Sequence, residues 1–190
     1  LIDLLIDFCD TDKTIIFPAY CNDFPKTKKF DLHQSLTSVG SIPDQAVIKH
    51  ETKRTSQPMQ SYTVYGHLEE ELLNYNSDTA WGKNSIMSWL VEKNTRILVL
   101  GVPWHKSCSI LHHAEELLHV PYRYYKRFTG EYFIDGVKIK DCDEKIYSRS
   151  LKNPPKWNHK TIKTILENKK MVMYSNNPGI PIESSNINDF

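Results

Sequence analysis

The chain opens on an apolar stripe at helical spacing. Leu1, Leu4, Leu5 and Phe8 recur on one face, with Asp3 and Asp7 off it, which predicts an amphipathic helix packed through those four side chains. Thr14 to Pro18 is a short β-rich run closed by proline and predicts a strand. Residues 19–43, rich in proline, aspartate, lysine, serine and glycine, read as one long loop ordered by what it covers. Pro43 and Asp44 predict a helix start, with the helix running to about Glu51. Ser61 to Gly66 reads as a strand. Leu68 to Tyr75 and Ser85 to Lys93 read as helices that turn Leu68, Leu72 and Leu73, then Ile86, Trp89 and Leu90, inward.

The run Arg96 to Gly101, apolar from Ile97 onward, predicts a central strand of an α/β sheet. A helix follows over Ser107 to Leu118. Tyr122 to Ile139 holds two alternating runs joined by Asp135-Gly136, a two-residue pair suited to a hairpin turn. Thr161 to Lys169 reads as a helix, Met171 to Tyr174 as a last strand, and residues 184–190 as a loose tail. Helices and strands interleave without strict βαβ alternation. The fold class expected is α/β, a three-layer α/β/α arrangement with a mixed β-sheet.

Composition narrows the function. At 190 residues, 39% hydrophobic and 25% charged, the chain has the length and apolar content for one domain with a packed core. Lysine plus arginine (24) nearly cancels aspartate plus glutamate (23), leaving a net charge of +1, which argues against a dedicated nucleic-acid binder. Mean hydropathy is -0.50, and no apolar run approaches the roughly 20 residues of a membrane helix. Four widely spaced cysteines without a C-x-x-C suggest free thiols and a cytoplasmic protein. The first helix starts without methionine, cap, basic region or cleavage site. That excludes a signal peptide and predicts further chain ahead of Leu1.

The segment RILVLGVPWHKSCSILHHAEE, residues 96–116, carries the richest chemistry. Loops at the carboxyl ends of strands are where open α/β sheets bind ligands. Ser109, His112 and Glu115 are spaced by three and share one helical face, so a hydroxyl, an imidazole and a carboxylate are brought together. An imidazole is the natural group to remove a proton near neutral pH. The plainer alternative on spacing alone is a cap at Ser109 and a hydrogen-bonded, semi-buried His112. His113 points elsewhere and reads as a surface residue. Cys108 and His112, four apart, raise a nucleophilic Cys–His pair against the simpler reading of a buried thiol. The cluster His105, Cys108, His112 and His113 lacks metalloenzyme spacing, so no metal is expected.

Two further constellations matter. Gly40-Ser-Ile-Pro-Asp44 puts a carboxylate at a helix start, either as an ordinary dipole partner or as an acid that orients a distant imidazole. Arg54-Thr-Ser-Gln-Pro58, followed by Ser61, offers a cation and hydroxyls to a phosphate or a pantetheine amide. Six lysines between Lys152 and Lys170 read as a solvated face or, alternatively, as a surface that meets phosphates.

Taken in order, these segments resemble the aminoglycoside 3-N-acetyltransferase family, also known as the antibiotic N-acetyltransferases. The resemblance rests on Phe17-Pro18-Ala19-Tyr20 at a strand end and on Gly40-Ser-Ile-Pro-Asp44. It continues with Arg54-Thr-Ser-Gln-Pro58 with Ser61 and Gly66, and with Gly82-Lys-Asn-Ser85. It closes with Leu100-Gly101 followed by Ser109-Ile-Leu-His112-His-Ala-Glu115. It covers roughly residues 10–140. Gln57 stands where the family has a histidine, Asp44 where it has glutamate, and Ser109 where it has threonine. The family's N-terminal strand and serine-rich cofactor loop have no counterpart in this chain.

The resemblance implies transfer of an acyl group from acetyl-CoA or another acyl-CoA to an amine of an amino sugar, an aminoglycoside antibiotic or a nucleotide-linked amino sugar. It implies His112 as base, Asp44 as its orienting acid, and Ser109 with nearby N–H groups as oxyanion donors, with Glu115 on the same face. Arg54, Thr55, Ser56 and Ser61 are the expected cofactor contacts, and Tyr20, Asp31 and Gln57 the expected acceptor contacts. The expected partners are CoA and a small-molecule amine, without nucleic acid or membrane; a homodimer is compatible with the sequence. Two other readings stand beside this one: a catalytically silent ligand- or partner-binding domain, and an acyltransferase that works through an acyl-Cys108 intermediate.

Overall fold

The computed structural model describes the chain apart from residues 10, 50–51, 105–108, 153–157 and 176–178 and the side chain of His159. It is of the α/β class and divides into two compact units where length alone suggested one domain. The first comprises residues 1–76 and 126–146, the second 77–125 and 147–190.

The first unit holds α1 (Ile2–Asp7), β1 (Thr14–Pro18), α2 (Phe24–Thr27), β2 (Lys29–Asp31), α3 (Ser41–Ile48), β3 (Lys53–Arg54), β4 (Tyr62–Gly66) and α4 (Glu69–Leu73). Strand β1 pairs antiparallel with β4, which pairs antiparallel with β3. Helices α1 and α3 cover this sheet through a cluster of Ile2, Phe17 and Ala46, packed by Leu5, Ile6, Ile15 and Ile42. The face of α1 is therefore corrected: Ile2, Leu5 and Ile6 turn inward, while Leu1, Leu4 and Phe8 are exposed. Both arcs of this short helix are apolar, so periodicity alone did not decide between them.

The expected loop over 19–43 contains α2 and β2, and β2 joins a second sheet in parallel with the long strand β6 (Arg123–Ile134). Strand β6 and β7 (Val137–Arg149) are neighbours in that mixed sheet. They turn at Asp135-Gly136, both at positive φ (49° and 78°), as the dipeptide predicts. Residues 126–146 of this hairpin belong to the first unit, and its two outer ends to the second.

Glu144 on β7 is buried and accepts hydrogen bonds from the backbone N–H groups of Met59, at 2.5 Å, and Gln60. Burial outweighs those donors and pushes its carboxyl up from 4.5 to about 7. The unfolded chain ionises near 4.5 while the fold prefers the neutral acid. Stability from this group is therefore full below about pH 4.5 and falls by about 3 kcal/mol as pH rises through 7. Urea unfolding between pH 4.5 and 7.5 should show that decline, and Glu144→Gln should flatten it.

The second unit contains α5 (Ile86–Glu92), β5 (Arg96–Leu100), α6 (Ile110–Leu117), α7 (His159–Asn168), β8 (Met173–Tyr174), β9 (Ile182–Asn186) and a short 3₁₀ helix (Ile187–Asp189). Its sheet has the order β5-β9-β8, with both pairings antiparallel. Two expectations are overturned here. Strand β5 is an edge of this three-stranded sheet, with Leu98 exposed, and not its centre. Residues 184–190 are not a loose tail: they supply the end of β9 and the 3₁₀ turn, with Ile187 buried and Phe190 edge-on to the buried Trp104 at 5.8 Å. Lys160, Lys169 and Lys170 are solvent-exposed and Leu166 is the buried residue of α7, as expected of a solvated face. Among the described residues no helix is long and apolar enough to cross a membrane.

Candidate active site

The second unit assembles the expected imidazole and carboxylate. Ser85 caps α5, its Oγ accepting from the Ser88 N–H at 3.2 Å and its hydroxyl donating to the Gly82 carbonyl at 2.6 Å. Helix α5 packs on α6, and α6 presents His112 and Glu115 three residues apart. His112 Nδ1 lies 2.9 Å from Glu115 Oε2, and the ring is tilted on Trp81 with centroids 5.3 Å apart. With the proton on Nδ1 bonded to Glu115, the lone pair falls on Nε2, the nitrogen then able to act as a base.

Glu115 is held by two residues that the motifs did not single out. Tyr122 donates to Oε1 at 2.9 Å, and Arg123 pairs with Oε2 at 2.7 Å, the Arg123 and Glu115 side chains each only 8% exposed. Arg123 also donates to the Tyr147 carbonyl at 2.8 Å. The only sequence signal for them was a tyrosine and an arginine at the start of an alternating strand. Desolvation is the largest influence on His112 and depresses its pKa; the Glu115 hydrogen bond opposes this, and the Arg123 charge adds to the depression. The ring is thereby held uncharged near neutral pH, ready to accept a proton.

Gly82 of the G-x-x-S stretch owes its identity to this region. A Cβ there would lie 2.6 Å from both Glu116 Oε1 and Thr79 Oγ1, and Glu116 is almost fully buried. Gly82→Ala is expected to cost about 1–3 kcal/mol by overpacking, read as a lowered urea midpoint with an unchanged slope.

The remaining candidates are placed as follows. Ser109 stands at the head of α6, where its side chain makes no capping bond and its carbonyl accepts from the His112 N–H at 2.9 Å. His113, expected at the surface, is buried with Nδ1 against the Trp81 carbonyl. Cys108 and His105 lie outside the described residues. In the first unit, Asp44 sits in the first turn of α3 and its Oδ1 accepts from the Thr37 N–H at 2.7 Å. The carboxylate found on His112 is Glu115.

The expected cofactor contacts lie in the first unit. Arg54 is buried, and its guanidinium is committed to Ser61 Oγ (3.0 Å) and to the carbonyls of Ser35 and Ala19 (both 2.6 Å), stacked over Phe30. Thr55 Oγ1 accepts from the Tyr62 N–H, and Ser61 donates to Ala19. Arg54 and Ser61 hold the 19–36 segment in place, and Thr55 ties Arg54's strand to β4. Ser56 alone of the four is exposed.

Tyr20 is likewise buried, donating to the Tyr62 hydroxyl at 2.8 Å. Asp31 accepts from the N–H groups of His33, Gln34 and Gly136, which hold its pKa low despite burial. It fastens the hairpin turn. Gln57 is half-buried, and its Oε1 has no donor among the described residues. Also among these residues, no group of three His, Cys, Asp or Glu is placed to hold a metal ion.

Comparison with solved structures finds the same fold in aminoglycoside acetyltransferases. For AAC(3)-Xa the TM-score is 0.78 at 17% identity, covering 99% of this chain and 75% of that one. For AAC-IIIb in binary complex with CoASH the values are 0.76 and 19%, covering 98% and 77%. For AAC-VIa bound to sisomicin they are 0.78 and 15%, covering 100% and 79%. No curated protein sequence matches the chain. A family model, however, spans residues 1–175, and on that match the chain belongs to the aminoglycoside 3-N-acetyltransferase family of acyl-CoA-dependent N-acetyltransferases.

Proposed function

We propose that this chain acetylates an amino group of an aminoglycoside, with acetyl-CoA as co-substrate and His112 as general base. The observation that carries the reading is the 2.9 Å contact between His112 Nδ1 and Glu115 Oε2 on a ring whose pKa is depressed. The amine nitrogen must give up a proton to attack a thioester. It bonds to the acyl carbon as Nε2 takes that proton, the carbon–sulfur bond breaks, and the proton passes on to the departing thiolate. Glu115 fixes the ring orientation and stabilises the imidazolium while it exists. Ser109 is the hydroxyl nearest in sequence to the base and is assigned to the developing oxyanion; loss of one such donor costs about 10²–10³ in rate.

A nucleotide-linked amino sugar is the second acceptor considered. Asp31 is used internally, while Lys26, Lys28 and Lys29 of the same segment are exposed, a balance suited to phosphates. Release of CoA thiol with acetyl-CoA and sisomicin is the test. Turnover supports the aminoglycoside reading, and turnover confined to a uridine-diphosphate amino sugar supports the second. Absence of acetyl-CoA binding by calorimetry would identify a silent binding domain. An acetyl group trapped on Cys108, seen by intact mass, would replace the base mechanism with a covalent one.

A further inference from the structure

The ion pair behind the base has a consequence of its own, and it builds on the reading of His112 as base. Arg123 Nη2 stands 2.7 Å from Glu115 Oε2 and 2.8 Å from His112 Nδ1, while Nδ1 is 2.9 Å from that same oxygen. Three polar atoms thus form a closed triangle; with the Nδ1 proton directed at Glu115, Oε2 accepts from both neighbours and the Nη2···Nδ1 side is a close approach of two donors. The guanidinium is anchored on its other arm to the Tyr147 carbonyl, and its carboxylate partner is anchored by Tyr122, so neither drifts as the ring changes charge. We propose that Arg123 is a positioning residue that keeps the His112 ring uncharged between turnovers, by neutralising Glu115 and standing against the imidazole itself.

The physical argument is a balance of charges. A carboxylate alone within hydrogen-bond distance would favour imidazolium, and a base that rests protonated cannot accept the proton of the amine. Arg123 opposes that attraction and adds repulsion, since a doubly protonated ring would bring two cations within 3 Å of each other. Glu115 is then free to orient the ring without charging it. Among the described residues, the groups that face His112 include Glu115 on its own helix α6, Arg123 on β6, Arg149 on β7 and the Trp81 ring. Arg149 is a second, exposed cation that opposes protonation, but it makes no contact with Glu115 comparable to the Arg123 pair.

The test is the NMR titration of the His112 ring, assigned by its loss in His112→Gln, in wild type, Arg123→Lys and Arg123→Met. Wild type is expected to titrate below the ordinary histidine range and Arg123→Lys close to wild type. Arg123→Met should move upward by about one unit, with the acidic limb of kcat/KM following it. Arg149→Met serves as the comparison for a cation outside the triangle and is expected to shift the ring less. An unmoved His112 titration in folded Arg123→Met, shown by an unchanged amide spectrum away from α6, overturns the proposal. So does a downward shift. If Arg123→Met fails to fold, the Arg123→Lys and Glu115→Gln titrations decide. The proposal requires Glu115→Gln to lower the ring further while Arg123→Lys stays near wild type, and any other order contradicts it. The titration needs no turnover. A shifted ring with no acetylation would sink the proposed function alone, whereas turnover with an unmoved ring would sink this inference alone.

Discussion

His112→Gln is expected to lower kcat/KM for acetylation by about 10²–10⁴-fold, the range for removal of a positioned general base. Glutamine can still donate an amide N–H toward Glu115 Oε2, so the carboxylate keeps a partner and the fold is expected to persist. The loss should fall mainly on kcat, because proton removal belongs to the transition state and not to amine binding. An amine whose nitrogen is already unprotonated at the assay pH still has to shed a proton as the new bond forms, so raising the pH should not rescue the variant. Steady-state assays with sisomicin at pH 7 and pH 9, alongside a circular dichroism check of folding, measure both parts.

Glu115→Leu is expected to be the most destabilising single change in the second unit, by about 3–5 kcal/mol. The substitution leaves the Arg123 guanidinium buried without its counter-charge, which is the costly way to break a buried pair. It also removes the acceptor of the Tyr122 hydroxyl and the orienting partner of His112. Replacing both partners, with Arg123→Met added to Glu115→Leu, should recover much of the loss, because no lone charge remains. Urea unfolding of the two single variants and the double variant reads the coupling. Activity should stay low in Glu115→Leu and in the double variant, which lack the orienting acceptor of the ring, while Arg123→Met should lose activity only below its raised acidic limb.

Much of the fold was legible because local signals agreed with it. Strand β1 and the hairpin turn sit where proline, alternation and Asp135-Gly136 predict them, and Ser85 caps the helix its position suggests. The failures share a physical cause. Strand β9 turns Glu183 and Ser185 inward, and the backbone N–H of Trp104 donates to Glu183 Oε2 at 2.7 Å. A strand whose buried face is polar carries no hydrophobic period to read. The burial of Arg54 was not readable, because an arginine among hydroxyls is ordinarily at the surface. Only the tertiary structure shows it threaded through the carbonyls of a folded-over segment. At the site, the spacing of His112 and Glu115 on one helix was readable, since both lie on α6. Tyr122 and Arg123 were not, because their role depends on where the strand after α6 returns.

The central claim, that an uncharged His112 accepts the amine proton, is tested most directly by the pH dependence of kcat/KM in wild type and His112→Gln. Wild type should show an acidic limb below the ordinary histidine value of 6.5, coincident with the ring's own titration, and the residual rate of the variant should pass through that region without it. A variant that keeps both the limb and a near wild-type rate would mean that another group takes the proton.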